Sequence, residues 1–294
     1  MRLSRGAALA LFAAVILSWG FNWVVTKLLV QDVSALWLVA IRSVIALAVL
    51  FVLAAGTRSL VLPRRGDLPV VFNVALLHMS AYAILMTVGL MHVAAGRSIV
   101  LGFTTPLWVI PGAVLFLGER LTPMRIFGVT LGMAGLALLF NPAAFDWSDG
   151  RALLGNSLLL LAAFLWAVSI LHLRAHKWIS TPWQLVFWEV LLATVVLVLV
   201  AFAYEGTPRI DWDMRIVLLF LYGGVIGVAL AYWAMSMVSR SLPAITTSLG
   251  VLATPVVGVL GSVAVLGEPL SLSLVLALAL IIGGIAIGTI GGSK

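Results

Sequence analysis

Few side chains in this 294-residue chain could do chemistry, and their types point to binding rather than bond-making. There are four histidines (His78, His92, His172 and His176) and no cysteine. No HExxH or GxSxG pattern accompanies them, so neither a zinc hydrolase nor a serine nucleophile is indicated. Without Cys there is no disulfide and no thiolate metal site. The expectation is a protein that is not an enzyme and uses no cofactor or metal.

The informative residues are polar groups set inside long apolar runs. His78 and Tyr82 are spaced i and i+4, which puts them on one helix face. They are either a packed hydrogen-bonded pair or the polar edge of a cavity, able to hold the amino or carboxylate end of a substrate. Asn22 and Ser169 are weaker cases of the same kind, since such residues also serve as interhelical ties. Arg42 and Glu189 are charges inside apolar runs. A charge at that depth costs several kcal/mol unless paired, wetted or able to snorkel. Of the 11 tryptophans, Trp37, Trp147, Trp178, Trp183 and Trp212 lie near run ends and fit interfacial anchors. Trp19, Trp108, Trp166 and Trp233 lie deeper. A buried indole N–H wants a partner, so these read as candidate cavity walls that would stack on aromatic or cationic substrates.

What must position these residues is a bundle of membrane helices. The chain is 63% hydrophobic and 9% charged, against about 25% charged in soluble domains. Too little polar surface exists to face water on all sides. About 20 apolar residues span a bilayer as a helix that satisfies its own backbone. Ten segments qualify: roughly 6–26, 34–55, 69–91, 96–117, 124–140, 152–173, 182–204, 214–237, 243–266 and 272–290. The first has basic residues before an apolar core, but bulky Trp19, Phe21, Asn22 and Trp23 follow it. It reads as a span rather than a cleaved signal. Placing the N-terminus in the cytoplasm puts 11 of the 17 Lys and Arg inside and 5 outside, with Arg42 within a span. That bias favours both termini inside. The net charge of +7 reflects this bias, and no nucleic-acid motif is present.

The segments repeat. At an offset of 149, Thr105, Pro106, Gly112, Val114, Leu117, Gly118, Glu119 and Leu121 recur as Thr254, Pro255, Gly261, Val263, Leu266, Gly267, Glu268 and Leu270. The chain therefore divides into two copies of one unit, 1–145 and 146–294. Five spans is an odd number, so the second copy enters the membrane from the opposite side. The fold class expected is an all-α membrane protein of ten transmembrane helices in two inverted five-helix repeats, a recurring transporter plan. Pro106 and Pro255 sit within spans four and nine, where each removes a backbone donor. Thr105 and Thr254 could bond the groups so freed. The four are either a pair of hinges or static kinks. Glu119 and Glu268 read as helix-end or loop residues that hold turns. Gly128/Gly132 and Gly284/Gly288 have GxxxG spacing, for close packing of spans five and ten or for a dimer face.

The pattern TP…GAVLFLGERLTP, repeated as TP…GSVAVLGEPLS, resembles the EamA-type drug/metabolite transporters across the whole chain. The aromatic-rich spans are most similar to aromatic amino-acid exporters of bacterial inner membranes. The resemblance implies ten spans, export of small metabolites, and a central cavity built mainly from spans 1, 3, 4, 6, 8 and 9. Small four-span relatives exchange protons through a Glu in the middle of their first span. Spans one and six here carry no carboxylate, so that mechanism is not inherited. The partners expected are an amino-acid-like substrate and the lipid bilayer, with no nucleic acid, in a monomer or homodimer. An exporter of nucleobases or hydrophobic drugs is the alternative.

Overall fold

In a computed structural model of the chain, the described residues are 3–118, 122–140, 148–242 and 250–290, and all of their regular structure is helical. In chain order the helices are α1 (Arg5–Leu29), α2 (Ala35–Gly56), α3 (Arg65–His92), α4 (Ala95–Leu117), α5 (Pro123–Phe140), α6 (Gly150–Ala175), α7 (Pro182–Glu205), α8 (214–241), α9 (Ala253–Leu266) and α10 (Leu272–Ile290). Seven of these, α1 to α4 and α6 to α8, are long and apolar enough to cross a bilayer. The apolar stretches of α5, α9 and α10 are shorter, at 10–17 residues. The segment expected at 243–266 is described only from Gly250 onward, and Glu119 and Trp147 lie outside the described residues. Large apolar side chains cover the outside: Leu115, Phe116 and Leu272 are 76%, 78% and 74% exposed. Such a surface is at rest only in lipid.

Helix ends are set by local chemistry. Ser4, Asp149 and Asp213 accept hydrogen bonds from the first-turn N–H groups of α1, α6 and α8. α4 and α9 stop alike. Gly118 and Gly267 take left-handed φ values of 66° and 68°, which only glycine adopts freely. Their N–H groups donate to the carbonyls of Ala113 and Ser262. Both pairs are separated by the 149-residue offset of the sequence repeat.

Two irregularities also recur. α3 contains a π-helical segment at Val74–Tyr82, and α8 contains one at Tyr222–Leu230. α4 breaks at Phe103–Thr104 between Ala95–Gly102 and Thr105–Leu117, so Pro106 stands in the first turn of a new helix. That differs from the interior kink expected, because a first-turn Pro forfeits no helical hydrogen bond. The Thr105 hydroxyl donates to the Gly102 carbonyl across the break, at 3.1 Å. α9 begins after a turn at Leu252, with Pro255 likewise near its start.

Equivalent helices of the two copies pack in opposite directions. Along α2 and α7, Trp37 meets Glu205 and Gly206, Ser43 bonds Thr194 at 2.7 Å, and Thr57 receives the Trp183 indole N–H at 3.4 Å. One register rises as the other falls. Trp37 and Trp183 are thus buried ties, at 7% and 6% exposure, rather than interfacial anchors. Trp178 and Trp212, at 41% and 56%, are exposed as anchors would be. Along α5 and α10, Gly128 faces Gly284 and Gly288, while Gly135 faces Ala277 and Ile281. These contacts are images of each other under the 149 offset, and they too run antiparallel. The glycines are consumed by contact within the chain, which leaves them unavailable to a dimer face.

The open end of the α3–α4 junction is held by charge. The Lys27 ammonium donates to the carbonyls of Leu90 and Val93 at 2.6 and 2.8 Å. The Glu268 carboxylate accepts from the N–H groups of Ala95 and Gly96 at 2.6 and 2.8 Å. A cation at a helix C-terminus and an anion at an N-terminus both match the helix dipole. Glu268 is therefore a cap for a helix of the other copy.

Candidate functional site

The irregular segments surround a cavity of about 230 Å³ in the interior of the bundle. α1 supplies Trp19, Asn22, Trp23 and Thr26, one turn apart or less. α3 supplies His78, Met79, Tyr82 and Met86 from its π segment and the turn beyond it. α8 supplies Gly227, Val228 and Tyr232 from the matching place. Phe103, at the break in α4, and Thr254, at the start of α9, also line the cavity. π turns are rare and recur at functional sites. Here each one widens the helix where it borders the space.

The walls carry two aromatic pairs. Trp166 of α6 stacks on His78 with ring centroids 5.2 Å apart and planes 1° from parallel, and meets Tyr82 at 5.2 Å and 57°. Trp19 of α1 meets Tyr232 of α8 at 6.4 Å and 69°. The pairs are near-images: Tyr82 and Tyr232 differ by 150 positions, and Trp19 and Trp166 by 147. Each aromatic group bordering the cavity thus joins a Trp of one copy to a Tyr of the other. Such faces favour flat or cationic partners.

Of the residues singled out in the sequence, Trp19, Asn22, His78, Tyr82, Trp166 and Thr254 border the cavity. Others stand elsewhere. Trp108 packs edge-on against Phe164 at 5.8 Å, with its indole nitrogen buried and unbonded. Ser169 is fully buried and receives the Asn73 side-chain N–H at 2.9 Å, so it ties α6 to α3. Trp233 packs on the cluster around Ala46, Leu50 and Trp183, one position from Tyr232, which does face the space. Thr105 and Pro106 lie at the helix break and outside the wall, as does Pro255. Trp108→Phe is therefore expected to leave transport within about twofold of wild type, since Trp108 lies outside the wall, its N–H is unpaired and Phe keeps a ring against Phe164. A flux assay on the purified variant checks this.

The structure adds wall residues from α2 and α7 that the sequence reading did not place there: Val39, Arg42, Ser43, Val190 and Leu197. A signal for Tyr232 existed, because Tyr82 plus 149 falls one residue short of it. Arg42 and Glu189 form no ion pair. Arg42 borders the cavity with its Nη1 on Thr26 Oγ1 at 3.0 Å. Glu189 is buried at 6% exposure, outside the wall.

A model of the EamA-like transporter family matches residues 4–141 and again residues 153–290. The chain belongs to the EamA-like transporter family. The two matches fall on the two copies seen in the repeat. Among similar EamA-type and other transporters is the uncharacterized transporter YoaV of Bacillus subtilis, 24% identical over 94% of each chain. A riboflavin transporter of Rhizobium johnstonii is 36% identical over 37% of this chain and 34% of its own. A probable terminal-alkyne amino-acid exporter of Streptantibioticus cattleyicolor is 35% identical over 31% of each. A protein crystal structure superposes with a TM-score of 0.67 at 21% identity, covering 99% of this chain and all of its own, and shows the same fold. As an EamA transporter the chain is a multi-pass membrane protein whose partners are a small molecule and lipid.

Proposed function

We propose that this transporter exports small amino-acid-like metabolites, aromatic or neutral, by alternating access through the central cavity. The two halves, 1–145 and 146–294, act as inverted five-helix units of a ten-span protein, in a bacterial inner membrane with both termini in the cytoplasm. The observation that carries the reading is the matched pair of aromatic groups lining one space, each joining a Trp of one copy to a Tyr of the other. The antiparallel packing of α2 with α7 and of α5 with α10 supports the inversion. The named amino-acid exporter among the relatives supports the substrate class. Counterflow of labelled aromatic and neutral amino acids in proteoliposomes tests it. Exchange above that of empty vesicles is the expected result. No exchange of any of them would overturn the amino-acid reading.

A second reading, transport of a flat heterocycle such as a nucleobase or a hydrophobic drug, is favoured by the same aromatic faces and by the named riboflavin transporter. The same assay separates the two.

The wall supports a facilitated mode of transport. No carboxylate borders the cavity among the described residues, so no acidic group there couples a proton to the substrate. Flux is expected to follow the substrate gradient alone. An imposed pH step should produce no accumulation in vesicles held at equal substrate on both sides. Concentration of substrate by that step would contradict facilitated transport.

A further inference from the structure

Among the described residues, Arg42 is the only formally charged side chain bordering the cavity, and its surroundings hold it without neutralising it. Its Nη1 donates to Thr26 Oγ1 at 3.0 Å. The Thr26 hydroxyl in turn donates to the Asn22 carbonyl at 2.7 Å. A hydroxyl has one hydrogen, so Thr26 meets the guanidinium purely as an acceptor and fixes one end of it. No other hydrogen bond and no ion pair with a described residue uses the remaining N–H groups. Arg42 lines the same cavity as Tyr82 and Tyr232, so it shares the wall with both aromatic groups.

Space for it is built into α8. A Cβ on Gly223 would stand 2.9 Å from Arg42 Cδ and 3.6 Å from Asn22 Oδ1. A Cβ on Gly227 would stand 2.6 Å from Asn22 Oδ1. Any larger residue there would displace both side chains. Asn22 Oδ1 is itself a buried acceptor with no partner. A planar fork of donors therefore stands in the wall beside the aromatic groups, while Asn22 Oδ1 is turned against the α8 glycines. An unpaired guanidinium at membrane depth is costly, by several kcal/mol. Its match is a carboxylate, which a guanidinium holds by two parallel charge-assisted bonds.

Resting on the transport reading above, we propose that Arg42 binds the carboxylate of the substrate. The substrate class is then small carboxylates with a flat or apolar body, α-amino acids foremost. Amines without a carboxylate are rejected, because they meet a fixed cation and no anion. This separates the chain from a carrier of cationic drugs, which the aromatic faces alone would admit.

The test uses matched sets on phenyl, indole and aliphatic bodies: the amino acid, the acid lacking the amine, and the amine lacking the carboxylate. Each competes for counterflow of the best-carried compound of a wider panel in proteoliposomes of the full chain. The acid and the amino acid are expected to compete at least tenfold better than the matched amine. Arg42→Gln should erase that preference, and Arg42→Lys should keep part of it, since the charge stays but the fork is lost. The competition series on the wild-type protein stands even if a variant fails to fold. Equal competition by amines, or an unchanged preference in Arg42→Gln, would overturn the assignment while leaving transport intact. Absence of flux for every compound of the wider panel would instead remove the transport reading and this assignment with it.

Discussion

Trp166→Ala is expected to lower flux at low substrate concentration by about tenfold or more. Trp166 stacks on His78, meets Tyr82 and borders the cavity. Truncation removes one of the two indole faces on the cavity and unfastens the two rings of the other copy packed on it. Each aromatic pair is worth about 0.5–1.5 kcal/mol beyond its buried area. Losing the substrate's own contact with this ring, together with the alignment that Trp166 gives His78 and Tyr82, reaches the 1.4 kcal/mol that corresponds to a factor of ten. Trp166→Phe keeps a face and should retain most of the flux. Trp19→Ala, its counterpart opposite Tyr232, should fall in the same direction. Initial rates in proteoliposomes at matched protein density measure the effect. Unaltered rates in both alanine variants would remove the aromatic faces from the account.

Gly128→Ala should destabilise the folded protein by about 3 kcal/mol, at the upper end of what overpacking usually costs. A Cβ there would collide with the Gly284 carbonyl oxygen and stand 2.7 Å from the Gly288 nitrogen. Both are backbone atoms, so no rotamer change relieves the contact, and α5 and α10 must move apart. Membrane helices gain little from burying apolar surface against one another, since lipid is equally apolar. Close packing is what holds this pair, and separation forfeits it. Gly283→Ala is the internal control. Its Cβ would meet Leu131 at an ordinary 3.8 Å, and helix propensity then favours Ala by about 1 kcal/mol. Thermal unfolding in detergent should show a clear fall in midpoint for the first and none for the second. Equal midpoints would mean that the α5–α10 contact contributes little.

Much of the architecture was legible because it depends on composition and periodicity. Lipid imposes long apolar runs, and the 149-residue offset marks matching parts. The offset correctly pairs Gly118 with Gly267 and the break in α4 with the turn before α9. It also pairs the two contacts between α5 and α10. The cavity was legible in part. Trp19, His78, Tyr82 and Trp166 stood out as polar-tipped rings deep in apolar helices, and all four border it.

The misplacements have physical causes. A π segment inserts extra residues per turn and shifts the phase of everything after it. Tyr222–Leu230 lies just ahead of Tyr232 and Trp233; Trp233 stood out only as a tryptophan deep in its span, which does not say which of the two faces the space. Trp108 and Ser169 look like their wall-forming neighbours in a single sequence. They differ only in what packs against them, Phe164 and Asn73, and that is tertiary information. Arg42 was visible as a buried charge, but an apolar run does not say which face of α2 meets the cavity. The resolving contacts, with Thr26 and beside Gly223, come from helices distant in sequence.

The central claim is that the cavity opens to one side of the membrane at a time. The chain has no native Cys, so single cysteines can be introduced cleanly. Thr87 and Ser43 both border the cavity. In oriented membranes, a membrane-impermeant thiol reagent should label Thr87→Cys and Ser43→Cys from one face only, and saturating substrate should move that labelling to the other face. Simultaneous labelling from both faces, indifferent to substrate, would show an open pore and contradict the account.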